Sequence, residues 1–166
     1  QSAVIEGSGA AIYSVAYSDL DGDGKTELIV GWRVNAELQA LSVYALGPAG
    51  PQELLHSVSY VRYANIDLDG DGLQELVVFH ADEEGGGEAD YYDWQKGGTL
   101  QSVSSARLSA TMAELNQGRV VSGLLRDGLP AVFVTGVTTP VSAESTAAAV
   151  TDILVAPERE LSNAAL

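Results

Sequence analysis

The chain has 166 residues, enough for one domain or a short array of repeats with a sizeable core. Its 8 basic and 23 acidic residues leave a formal charge of -15, which repels nucleic-acid phosphates and anionic membrane surfaces and favours cations as partners. With no cysteine, disulfides and thiolate metal sites are excluded, and no apolar run reaches the roughly 18 residues that span a bilayer.

Gln1 is not a natural start, so a processed piece is expected, and if the protein is secreted or lipid-anchored its targeting segment is expected to have lain upstream. From Tyr13 to Leu20 the pattern reads as a short strand entering an acidic loop. Asp19 to Leu28 then runs DLDGDGKTEL, and Leu28-Ile29-Val30 leaves the loop as a second strand. Ala40 to Leu46 reads as a third strand and Gln52 to Tyr60 as a fourth.

The same order returns 48 residues later. Tyr60 to Leu68 leads into DLDGDGLQEL at Asp67 to Leu76, identical to the first loop at eight of ten positions, and Leu76-Val77-Val78-Phe79 leads out. Glu88 to Trp94 and Thr99 to Leu108 supply the third and fourth strands. Between the second and third strands Gly85-Gly86-Gly87, set among acidic residues, reads as an exposed hairpin tip with little intrinsic order.

Ala110 to Gly118 reads as a connector, either a short helix or extended. A third, degenerate copy follows, with Gly128-Leu129 where Gly72-Leu73 stood and Val132-Phe133-Val134 as the strand after it. Pro130 and Ala131 replace Gln74 and Glu75, and only Asp127 remains acidic there. Val150 to Ala156 and Glu160 to Leu166 read as its outer strands, with Thr138 to Ala149 as a polar loop. The expected fold is therefore all-β: a single β-repeat domain over 1–166. Its three four-stranded antiparallel units resemble propeller blades, at about 13–60, 61–109 and 119–166, with 110–118 connecting the last two.

The loops carry the chemistry. Ca²⁺ takes about six to eight oxygens, so one loop suffices only if alternate residues turn carboxylates inward. Asp19, Asp21 and Asp23 stand at positions 1, 3 and 5, the carbonyl of Lys25 at position 7 and Glu27 at position 9. Asp67, Asp69, Asp71, the carbonyl of Leu73 and Glu75 repeat the set. Gly22, Gly24, Gly70 and Gly72 permit the positive-φ turning such packing needs. Two Ca²⁺ ions, one per loop, would bring the formal charge from -15 to -11. An EF-hand would need Glu at position 12, where Val30 and Val78 stand, and the runs that follow are β-type. A P-loop reading of Gly24-Lys25-Thr26 fails because aspartates surround it and reject phosphate.

No catalytic set stands out. His56 and His80 lie on separate strands without a partnered Ser or Cys pattern, and Ser8 lacks the strand-to-helix context of a nucleophile elbow. Trp32, Tyr91, Tyr92 and Trp94 read as packing between sheets rather than as a sugar-stacking surface.

The two DLDGDGxxEL loops between short strands resemble FG-GAP or VCBS-type repeats, the calcium-binding blade units also found in integrin α-subunit propellers. The resemblance spans roughly Tyr13 to Leu166, and the texture of the last unit, including Thr151 to Leu154, is similar to repeat-bearing lipoproteins of Gram-positive anaerobes. It implies a non-enzymatic, extracellular or bacterial cell-surface module with a binding, adhesion or scaffold role toward a protein or glycan ligand. The alternative is the calcium-stabilised propeller of a carbohydrate-active enzyme. Since propellers typically have about four to eight blades, three units imply an open or partial propeller, completion by further blades, or closure by a second copy as a homo-oligomer, with the open arc disfavoured by its exposed sheet edges.

Overall fold

A computed structural model describes residues 2–95, 97–137 and 148–157. It is all-β apart from one short helix, with three antiparallel sheets, none of them closed. The first sheet holds β1 (Ala11–Ser18), β2 (Glu27–Arg33), β3 (Gln39–Gly47) and β4 (Gly50–Ser59) in sequence order. The second holds β5 (Arg62–Ile66), β6 (Glu75–Ala81), β7 (Gly86–Gln95) and β8 (Thr99–Thr111), again in order. After α1 (Met112–Gln117), β9 (Arg119–Leu124), β10 (Pro130–Val137) and β11 (Ala148–Leu154) form a third sheet with β10 in the middle. The expected fourth strand of this unit, Glu160 to Leu166, lies outside the described residues, as does most of the Thr138 to Ala149 loop.

Strand alternation explains how the sheets stack. Successive residues point to opposite faces, so an unbroken apolar run belongs to a strand covered on both sides. On β6, Leu76 and Val78 meet Ile29, Leu41 and Val43 of the first sheet, with Leu55 and Leu100 filling the edges. Val77 and Phe79 turn the other way, onto Val132, Val134 and Leu154 of the third sheet. The second sheet is therefore the middle layer, and its two cores account for most of the large buried side chains. On the outer face of the first sheet, Val30, Trp32 and Tyr44 are covered by Ile5 from the N-terminal segment. Tyr91, Tyr92 and Trp94 pack in the cores between sheets, as expected, whereas Trp32 is buried on the outer face of the first sheet rather than between two sheets.

Three local features differ from the sequence reading. The entry strands stop at Ser18 and Ile66, because Leu20 and Leu68 give their N–H groups to loop carboxylates rather than to a ladder, while their side chains are buried as anchors. The glycine tip is shorter and better ordered than its composition implies. Asp82 accepts from the N–H groups of Glu84 and Gly86 and closes the turn through its own backbone, while Gly86 and Gly87 belong to β7.

The connector resolves into both of its alternatives. β8 runs on to Thr111, whose hydroxyl caps α1 in a reciprocal capping box with Glu114, and Leu115 anchors the helix in the second core. Next to it, the Asp152 carboxylate on β11 accepts from the backbone N–H groups of Ser109 and Ala110 on β8, at 2.6 and 3.1 Å, and so ties the third sheet to the second.

Candidate metal centre

Both acidic loops connect the first two strands of their sheets through eight residues, 19–26 and 67–74. Their internal hydrogen bonds agree almost atom for atom. Asp19 accepts from Gly22 N–H through one oxygen and from Gly24 N–H through the other, at 2.8 and 3.0 Å. Asp67 does the same for Gly70 and Gly72, at 2.7 and 3.0 Å. Asp21 and Asp69 each accept from the N–H two residues on, as do Asp23 and Asp71. These are Asx turns, and they wind the backbone so that successive carboxylates face one point. Gly22, Gly24, Gly70 and Gly72 all have φ between 76° and 91°, which an L side chain adopts only under strain.

The ninth residue of each loop behaves differently from the rest. Glu27 and Glu75 begin β2 and β6 and are buried, with relative exposures of 4% and 5%. Each folds back to accept the N–H of the loop's second residue: Glu27 Oε2 from Leu20 at 2.7 Å, and Glu75 Oε2 from Leu68. The other oxygen of Glu75, Oε1, is buried without a hydrogen-bond partner. A carboxylate oxygen in that state is costly unless it carries a proton or meets a cation.

Burial is the main reason that the Glu75 carboxyl is pushed up to about 7, and the charges of Asp69, Asp67 and Asp93 add to it against the Leu68 bond. Glu27 is raised for the same first reason, with Asp21, Asp19 and Asp23 adding.

The structure gathers these residues unequally. One oxygen from each of Asp67, Asp69, Asp71 and Glu75 lies within 4.8 Å of the others. In the first loop the equivalent group is Asp19, Asp21 and Glu27. Asp23 is not in that group, and its Oδ2 accepts from Lys25 Nζ at 2.6 Å. That bond holds the exposed Asp23 carboxyl below its ordinary range and raises the Lys25 ammonium. Leu73, in the Lys25 position, carries no charge and packs on Gly22, where an added Cβ would lie 2.7 Å from its Cδ2. The two loops are therefore neighbours in space.

Sequence reasoning passed over Asp93. Leu76 pairs with Tyr92, which sets Asp93 beside Glu75 at the rim of the second loop, whereas Leu28 pairs with Tyr44 and sets Ala45 beside Glu27. Only strand register reveals this neighbour, since Asp93 is far from the loop in sequence.

His80 also has partners that the sequence hid. Its Nε2 lies 2.8 Å from Asp90 Oδ2, and Asp90 Oδ1 accepts from the Ser105 hydroxyl at 2.6 Å, so the network crosses β6, β7 and β8. The carboxylate stands between imidazole and hydroxyl. A nucleophilic serine needs the imidazole next to it, and this arrangement instead cross-links three strands.

Among the described residues no helix is long and apolar enough to cross a membrane. In comparisons with known proteins, no family model matches this chain and no curated protein does either.

Proposed function

We propose that this chain is a non-enzymatic, extracellular calcium-binding β-repeat module of the propeller-blade type, in which one Ca²⁺ fixes each of the two acidic loops at the same end of adjacent sheets. The observation that carries the reading is the buried, unpartnered Oε1 of Glu75 beside the convergent carboxylates of Asp67, Asp69 and Asp71. A hard divalent ion held by oxygens is the occupant that such a group suits, and Ca²⁺ tolerates the irregular geometry of a loop better than Mg²⁺, which demands a near-ideal octahedron. Asp19, Asp21 and Glu27 support a second ion, with the carbonyls of Lys25 and Leu73 completing the sets.

The ion's role is structural. It removes carboxylate repulsion, locks the turn that joins the first two strands, and so sets the shape of the surface at that end of the sheets for a protein or glycan ligand. Exposed Ile12, Val15 and Tyr17 on β1 favour a further sheet packing beside the first, in keeping with a propeller-like assembly.

Calorimetric titration with CaCl₂, paired with thermal melting in EGTA and in calcium, tests the reading. Two ions are expected per chain. At a free concentration of about 100 times the dissociation constant, each adds about 2.7 kcal/mol, or about 5–10 °C in melting temperature for a domain of this size. Identical melts in EGTA and calcium, with no heat of binding, would sink it.

A further inference from the structure

We infer that the two loops fill in a fixed order, the second before the first, and that Lys25 is a tethered cation that competes with the metal in the first loop. This rests on the calcium reading above and concerns how its two sites divide their work.

The loops are so alike in backbone and in their Asx bonds that their differences stand out, and those differences all act in one direction. Position seven is Lys25 in the first loop and Leu73 in the second. The Lys25 ammonium sits 2.6 Å from Asp23 Oδ2 and takes that carboxylate out of the group formed by Asp19, Asp21 and Glu27. An incoming ion must break this pair and then tolerate the ammonium nearby. Among the described residues no ammonium pairs with Asp71, which stays with Asp67, Asp69 and Glu75.

The register across each sheet adds to the contrast. Asp93 brings a further negative charge beside Glu75, where Ala45 stands beside Glu27. The second site therefore has five carboxylates around it, and the first has four with an ammonium among them. Ligand charge is the main lever on calcium affinity in such loops. In a water-like dielectric, a unit charge about 6 Å from a divalent ion changes affinity by about tenfold.

Preorganisation points the same way. The Leu73 side chain rests on Gly22 and is half buried, so the second loop is braced by an apolar contact at the position where the first carries a solvated lysine. The second site is then the structural one, filled at low calcium. The first responds over a higher range.

The test is calcium calorimetry on the full chain and on two single-site proteins. D19N/D21N leaves only the second loop, and D67N/D69N leaves only the first. The second loop alone should bind at least about tenfold more tightly than the first alone. Adding K25L to D67N/D69N should raise the affinity of the first loop about tenfold, a gain that damage to the fold does not produce. Lys25 is well exposed, so this variant keeps the fold. Adding L73K to D19N/D21N should lower the affinity of the second loop by a similar factor. Equal affinities for the two loops, or a K25L protein unchanged in its first site, overturn the order and leave the calcium reading standing. An intact chain and single-site proteins that all take up no calcium overturn both.

Discussion

The connection between β9 and β10 occupies the place that the acidic loops occupy in the first two sheets, and it solves the same problem with different chemistry. It needs five residues, 125–129, instead of eight. Leu125 N–H donates to Leu129 C=O at 2.8 Å and Gly128 N–H to Leu125 C=O at 2.9 Å, so the backbone closes the turn on itself, with Gly128 at φ 83°. Asp127 Oδ1 accepts from Leu129 N–H at 3.0 Å. Ala131 stands where Glu75 stands in the second unit, fully buried and apolar. A strand-to-strand turn in this fold therefore has no intrinsic need of a metal. The acidic loops are longer, are wound around side-chain carboxylates rather than backbone carbonyls, and end on a buried glutamate, and each of these choices suits the proposed cation.

Substitution at the buried acid should separate the two kinds of turn most sharply. E75A removes a proposed ion ligand and leaves Leu68 N–H without its acceptor, so it should cost about 4 kcal/mol in calcium by urea denaturation. In EGTA, E75Q keeps an acceptor for Leu68 and removes a buried charge, so it should cost less than about 1 kcal/mol or stabilise. A similar large loss from E75Q in both solutions would make Glu75 a plain structural residue.

The effect of pH on the chelated protein comes next in size. Burial lets Glu75 hold its proton to about pH 7 when folded, whereas in the unfolded chain it releases it near the ordinary carboxyl value of 4.5. The folded state then binds more protons between those limits, and stability falls as pH rises from about 4.5 to 7, by up to about 3 kcal/mol. Calcium should flatten this slope, and so should E75Q. A rise in stability over that window in EGTA would contradict the buried-acid account.

Glycine positions test the contact between the loops. G22A meets both a positive φ and the Leu73 methyl, whereas G24A meets open space and only the backbone strain. Losses of about 2 and about 1 kcal/mol are expected, measured as shifts in the urea midpoint. Equal losses would mean that Leu73 yields freely and the loops are not braced. The smallest effect belongs to the third turn. D127A should cost about 0.5 kcal/mol, and the same in calcium as in EGTA. A calcium-dependent loss there would place an ion at that turn too.

How much of this was readable from the chain follows from where the information resides. The eight identities between the two loops revealed the repeat, and the apolar run Leu76 to Phe79 marked the strand that leaves the second loop, while its burial on both faces emerged only from the stacking of the sheets. Local pattern sufficed because each unit folds mostly on its own neighbours. What depended on contacts across strands was hidden. Asp93 joins the second loop through the register of β6 and β7, and the His80, Asp90 and Ser105 network needs three aligned strands. The Lys25 pair with Asp23 was within reach of sequence reasoning, since the two residues are adjacent on the loop. It was passed over because position seven is valued for its carbonyl and not for its side chain. The length of β8 and the start of α1 were undecided because Ala110 to Gly118 has no strong periodicity, and the capping box of Thr111 and Glu114 settles the helix.

The Asp152 carboxylate has a bearing on solution behaviour as well as on packing. β8 forms the outer border of the middle sheet, and a bare border of that kind invites a strand from another molecule to join it and seed aggregates. By taking the amide protons of Ser109 and Ala110, Asp152 leaves such an intruder no donors to pair with at that point and greets it with a negative charge. One aspartate thus guards an otherwise sticky margin, and does so without adding a strand.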